Sequence, residues 1–303
     1  MIKTIRDIRI MENKIKNIKN RISNFIIILL FLFISFSFTS CGSMFDKFTS
    51  SLFSQRDVKL IGNGAPAYLL LIEGLISAVP KNRGYLQIGI QTFSAYSEAF
   101  VDDPIRKKIF SEKCKDWGKR LLMTYPQFAN FEKSKDIEKK NRAFDSFLKN
   151  IKKRDVPYVF WASYSWIMWI MDNLDSVEAL MDLGIVKQII DRVYVVDGDF
   201  YYSAPHLFYA IFYAAFPKEI GGNIDKAKNE FDYVIEKNGD KLLMAKMSYA
   251  IFYLKPQNQK EEFKKVLKEI LNYDLDLYPD NRLLNLITQD EANKLLNDID
   301  NLF

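Results

Sequence analysis

The side chains best placed to do chemistry are aromatic hydroxyls grouped around a lone histidine. His206, Tyr209 and Tyr213 recur at i, i+3 and i+7, so on a helix they share one stripe. Tyr202 stands one turn ahead of His206, beside Tyr201. Tyr249 and Tyr253 make a second stripe at i, i+4. A tyrosine offers an apolar ring with one polar tip, which suits a groove for an apolar ligand with a polar end. The same stripes also serve plain helix packing with hydroxyls at the rim, and both readings stand. Asn285 and Gln289 lie one turn apart among Leu283, Leu284, Leu286 and Ile287. A polar pair in that setting faces solvent, lines a pore or finds buried partners. These eight residues are the ligand-pore candidates.

Other chemistry has little to stand on. One His and two Cys leave no metal-ligating cluster and no cysteine scaffold. Gly62-Asn63-Gly64 runs into Ala65-Pro66 and lacks the pattern of a phosphate-binding loop. No serine occupies a nucleophile-elbow context. Asp102-Asp103 and the Asp197/Asp199 pair fall at helix ends, where capping accounts for them. The sequence therefore reads as a non-enzyme without cofactor or metal. Cys114 reads as a small buried residue.

Residues 1–24 are basic, and Phe25–Phe38 is apolar apart from Ser35 and Ser37. Fourteen helical residues span about 21 Å, short of a bilayer core of roughly 30 Å. The layout is that of a signal peptide over residues 1–40. Phe38-Thr39-Ser40-Cys41 resembles a bacterial lipobox. There the Cys41 thiol takes a diacylglycerol, and its freed amine takes another chain, which together anchor firmly. Seven of the 43 basic and two of the 38 acidic residues lie in residues 1–40. The remainder is balanced in charge, so the chain's basic pI gives no support for nucleic-acid binding. The Ser-rich residues 41–56 read as the lipidated Cys and a tether, and 57–303 as one domain.

The elements that must position the tyrosines are helices. Gly 12 and Pro 9 in 303 residues fall short of the combined average of about 12%, which disfavours a turn-rich β fold. Helical periodicity predicts eleven helices, from Ala65–Ala78 and Gly84–Phe100 to Gln259–Asn272 and Asp280–Asp300. The site stripes fall on Ser203–Phe216, Lys241–Leu254 and the last helix. Prolines sit at the predicted margins. Val193–Val196 reads as a short strand or a frayed helix end. Pro157–Met171 is apolar all round and reads as a core helix carrying Trp161, Trp166 and Trp169. Ala227 and Phe231, with Gly239 as the stop, fit one tetratricopeptide (TPR) unit, but other spacings are irregular. The expectation is an all-α, TPR-like set of helical hairpins with degenerate repeats in one compact domain.

Several segments carry a resemblance. Gly64-Ala65-Pro66-Ala67-Tyr68-Leu69-Leu70-Leu71-Ile72-Glu73-Gly74 opens the domain, and Phe93-Ser94-Ala95-Tyr96-Ser97-Glu98-Ala99-Phe100 follows. His206-Leu207-Phe208-Tyr209-Ala210, Gly221-Gly222-Asn223-Ile224-Asp225-Lys226-Ala227 and Arg282-Leu283-Leu284-Asn285-Leu286-Ile287 complete the set. In this order they resemble the T-component of TPR-protein-associated TRAP transporters (the TatT family), over about residues 58–303. The resemblance implies a periplasmic lipoprotein, homotrimers, a pore through each protomer and docking with the substrate-binding P-component. It implies a small organic ligand, an acid by the usual suggestion. The reading is a lipid-anchored accessory subunit of a solute uptake system, with inner versus outer membrane open. The alternative is a helical-repeat scaffold that recruits envelope proteins and binds no small molecule.

Overall fold

The computed structural model describes Ser51 and residues 54–303. The signal-peptide reading of residues 1–40, the lipidation reading of Cys41 and most of the 41–56 tether lie outside the described residues. Thirteen α-helices and no strand occur among the described residues. They are α1 (Val58–Ala78), α2 (Arg83–Phe100), α3 (Pro104–Leu122), α4 (Pro126–Lys133), α5 (Ile137–Asn150) and α6 (Val156–Asp172). Then come α7 (Val177–Asp197), α8 (Phe200–Ala215), α9 (Ile224–Asn238) and α10 (Met244–Tyr249), which runs into a π-helical turn at Ala250–Leu254. The chain ends with α11 (Lys260–Leu271), α12 (Arg282–Asn297) and α13 (Ile299–Leu302).

Helix starts follow local chemistry. Asp57, Asn82, Asp103, Asp136 and Asn223 each cap a helix by accepting a hydrogen bond from a backbone N–H of its first turn. Asp103 therefore caps α3, as its place before Pro104 leads one to expect. The first helix is a correction. It starts at Val58 rather than Ala65, because Gly62, Gly64 and Pro66 are carried inside the helix instead of breaking it. Gly62 has a packing reason to be glycine, since an added Cβ would lie 2.9 Å from the Phe100 ring. Val193–Val196 is helical, within α7. Pro126–Lys133 forms a helix that periodicity did not separate from its surroundings.

Consecutive helices pack as hairpins, α1 on α2, α2 on α3, α4 on α5, α6 on α7, α8 on α9 and α11 on α12. This arrangement is compatible with TPR-like pairing. The tightest packing between non-consecutive helices is α3 on α6. A Cβ at Gly118 would lie 2.3 Å from Ser165 Oγ and 2.9 Å from the Ala162 carbonyl, so only glycine lets these helices approach so closely. α6 is the core helix that its sequence suggested, with Trp161, Trp166 and Trp169 all buried. Lys115 of α3 is buried over the Trp169 ring, and it reaches Glu178 of α7 at 3.1 Å. Trp166 Nε1 donates to Asp182 Oδ2 at 2.7 Å, which pins α7 to the same face.

The two ends of the domain meet. α12 packs on α1. Arg282 Nη1 donates to the Ser54 carbonyl at 3.0 Å, and Asp276 accepts from both Arg56 (2.6 Å) and Arg282 (2.8 Å). The first helix of the domain and its C-terminal part are thereby joined.

Candidate functional site

The tyrosine-histidine stripe hangs from an unusual piece of backbone. α8 opens with three successive residues in the left-handed region, Tyr201 (φ 46°), Tyr202 (φ 58°) and Ser203 (φ 60°). Each costs about 1–2 kcal/mol for an L-residue, and bulky tyrosines gain no local compensation. Side chains from α9 hold the turn in place. Ser203 is fully buried; its Oγ donates to Asp199 Oδ1 at 3.1 Å and accepts from Asn238 Nδ2 at 2.9 Å. Asp199 also accepts from the Tyr233 hydroxyl at 2.9 Å and from Lys237. The Lys237 hydrogen bond is the main reason that the Asp199 carboxyl is held down to about 2. Asp199 stands at a helix end, as expected, but its side chain bolts the turn and caps no backbone N–H.

One turn on, His206 Nδ1 lies 2.6 Å from Glu230 Oε2, and the Tyr194 hydroxyl donates to Glu230 Oε1 at 3.1 Å. The imidazole stacks on Tyr233, centroids 4.1 Å apart, and Tyr194 lies tilted against it at 4.5 Å. Gly198 makes room for this. A Cβ there would lie 2.9 Å from His206 Nε2. Burial, then the Glu230 charge and hydrogen bond, push the Tyr194 phenol up to about 12. The stripe continues through Tyr209, buried edge-on to Tyr194 at 5.0 Å, to Tyr213 at 5.5 Å from Tyr209. Tyr202 turns the other way, with its hydroxyl 3.5 Å from that of Tyr278.

The other candidates lie apart from this group. Tyr249 and Tyr253 stack on each other at 5.1 Å, and Tyr249 packs on Phe231. Among the described residues neither ring touches a ring of the first stripe. Burial pushes the Tyr249 phenol up to about 12. Asn285 is fully buried; its Oδ1 accepts from Leu243 N at 2.9 Å and its Nδ2 donates to the Lys241 carbonyl at 3.2 Å. Gln289 Nε2 reaches the carbonyls of Ile270 (2.9 Å) and Tyr273 (2.9 Å) at the end of α11. Both amides serve backbone groups that a helix end leaves without partners. Cys114 is buried, with Ser94 Oγ donating to its Sγ at 3.7 Å, and burial pushes its thiol up to about 12. Such a thiol stays protonated and unreactive at neutral pH.

Sequence reasoning missed Glu230, Tyr194, Tyr233, Lys237 and the left-handed turn. Tyr233 and Lys237 are an i, i+4 pair on α9 and could have been found as one face. Nothing local links them to Asp199, which lies 34 and 38 residues away.

A family model described as the TRAP transporter T-component matches residues 54–303, the whole of the folded domain. The chain belongs to the TRAP transporter T-component family. That family comprises accessory subunits of solute transporters and is not an enzyme family. A T-component accordingly associates with other TRAP components, and family membership suggests a periplasmic, membrane-associated protein. An uncharacterized protein of Treponema pallidum (strain Nichols) is 22% identical over 276 residues, which cover 84% of this chain and 83% of that protein.

Proposed function

We propose that this T-component is a lipid-anchored periplasmic accessory subunit that docks with the substrate-binding P-component and passes it a small organic solute. The observation that carries the reading is the family match across residues 54–303. Cys41, with its lipobox-like context, supplies the anchor, and residues 42–56 supply the tether. The family resemblance leads one to expect a ligand passage through the protomer, and the aromatic stripe of α8 supplies ring surface with polar tips suited to one. Asn285, fully buried, has no surface to offer such a passage. α1 carries only Lys59 and Glu73 as charges and leaves Leu60, Leu70 and Leu71 exposed, which suits self-association into a homotrimer.

The test is capture of periplasmic proteins on the lipidated chain in non-ionic detergent, followed by native mass measurement. Recovery of a solute-binding protein, with a total mass of three chains plus partner, supports the proposal. A monomer that brings down no solute-binding protein contradicts it and leaves the scaffold reading.

A further inference from the structure

Side chains of α10 and α11, which pack on each other, line an open groove of about 740 Å³. Lys264, Lys265 and Lys268 of α11 and Lys246 of α10 give it four ammonium groups. Glu261, Glu269 and Asn272 of α11 complete the lining. The α11 residues recur at i, i+3, i+4, i+7, i+8 and i+11, so they form one face of that helix. Its opposite face is apolar, with Phe263, Val266, Leu267 and Ile270 buried. The core therefore fixes α11 from behind, and the charged face stands as a wall of the groove.

Two of these lysines already have partners. Lys246 Nζ lies 3.1 Å from Asp240 Oδ1, and Lys265 Nζ lies 3.1 Å from Glu262 Oε1. Lys264 and Lys268, one helical turn apart, make no ion pair with any described residue. Asp300, on α13, pairs with Lys260 at 2.7 Å rather than with Lys264. Glu261 and Glu269 likewise have no ion-pair partner among the described residues. The groove thus presents two free ammonium groups, two free carboxylates and one amide. That is a set of donors for an anion beside acceptors for N–H groups.

From Glu261 to Asn272 the wall is about 16 Å long, the span of about five residues of extended chain. We propose that this groove docks an extended acidic peptide segment of a partner protein. Lys264 and Lys268 donate charge-assisted hydrogen bonds to its carboxylates. Glu261, Glu269 and Asn272 accept hydrogen bonds from its backbone N–H groups. A nucleic acid or polyphosphate brings only the anionic half of this chemistry, and its phosphates would be repelled by the two free glutamates. Exposed ion pairs are individually weak and screened by salt, so the docking is reversible and salt-sensitive. The inference goes beyond the transport reading, since it needs neither the lipid anchor nor a bound solute.

The experiment is fluorescence anisotropy of a fluorescein-labelled hexapeptide of alternating Asp and Glu, titrated with the full-length chain in non-ionic detergent at low salt. Saturable binding is expected, at least roughly tenfold tighter than that of a hexapeptide of Asn and Gln. Lys264→Gln combined with Lys268→Gln is expected to weaken it by at least roughly fivefold with an unchanged melting curve. Lys268→Gln alone, at an exposed position, serves as the second probe if the pair disturbs folding. Lys81→Gln combined with Lys135→Gln removes the same charge from exposed positions outside the groove, and affinity should hold within roughly twofold. No saturable binding, an equal affinity for the neutral peptide, an equal loss in the control pair, or equally tight binding of pyrophosphate or an oligothymidylate overturns the inference. Capture of a solute-binding protein by a chain that binds no acidic peptide overturns this inference alone, and the transport role stands.

Discussion

The α8–α9 region and the α11–α12 region both bury polar side chains in apolar surroundings, and they use them differently. In α11–α12 the polar groups are saturated by main chain. Asn285 holds Leu243 N and the Lys241 carbonyl, and Gln289 collects carbonyls at the end of α11. In α8–α9 the bonds run from side chain to side chain: Asp199 to Lys237, Tyr233 and Ser203, and Glu230 to His206 and Tyr194. They hold three residues in a backbone conformation that those residues disfavour. Tyr201, delivered by that turn, lies edge-on to Trp161 at 4.9 Å. Polar groups saturated by main chain hold helix ends, whereas a strained segment held by side-chain bonds depends on each of those bonds.

The largest effect that would break this contrast is at Asn285. Asn285→Leu strands the buried Leu243 N–H, at about 1–3 kcal/mol, and leaves the Lys241 carbonyl with Asn281 Nδ2 alone. The urea midpoint should fall with no change in slope, and the near-ultraviolet dichroism should hold. Ser203→Ala removes the hub of the left-handed turn and leaves Asn238 without its partner, for about 1–3 kcal/mol. Here the near-ultraviolet dichroism of the Trp161–Tyr201 contact should change along with stability, because Tyr201 loses its placement. Gly198→Ala pushes a methyl group into His206 Nε2, at about 1–3 kcal/mol of overpacking. The near-ultraviolet dichroism of the neighbouring Tyr194 and Tyr233 should change with it.

Smaller effects follow pH. The Lys237 hydrogen bond holds the Asp199 carboxyl down to about 2, so its bolt contributes stability above the ordinary aspartate range that is lost as pH falls toward 2. Asp199→Asn should flatten the acid limb in that window, as followed by thermal melts. Glu98 has the opposite sign. Its pKa is raised, so it favours the folded state at low pH and costs stability once ionised. Glu98→Gln should raise the melting temperature slightly at pH 7, and the gain should vanish as pH falls through 4.5. A mutant that loses stability at pH 7 would mean that Glu98 has a partner in the native protein.

The all-α architecture was legible because amphipathic periodicity and proline placement are local properties, and the family resemblance rested on segments spread over the same helices. The boundary at Ala65 was misplaced because Gly62, Gly64 and Pro66 look like breakers until Phe100 and the packing of α1 on α2 outweigh them. The stripe of His206, Tyr209 and Tyr213 was legible as one face of a helix. What anchors it was not, since Glu230, Tyr233 and Lys237 come from the next helix and Tyr194 from the one before. The left-handed turn has no sequence signal at all. Phe200-Tyr201-Tyr202-Ser203 contains no glycine or asparagine, and its conformation is imposed by Asp199, Asn238 and their partners. Asn285 and Gln289 stood out as polar residues among apolar ones, but whether they face solvent, line a pore or find buried partners depended on where the ends of α10 and α11 came to lie.

Asn285→Leu and Ser203→Ala, each measured in the same buffer at pH 7 for urea stability and for near-ultraviolet dichroism, test the contrast most directly. The account predicts that Asn285→Leu lowers stability and leaves the native spectrum in place, while Ser203→Ala lowers stability and also changes the signal of the Trp161–Tyr201 contact. Two mutants that lose stability with the native spectrum unchanged in both would contradict it, because the two regions would then be doing the same structural work.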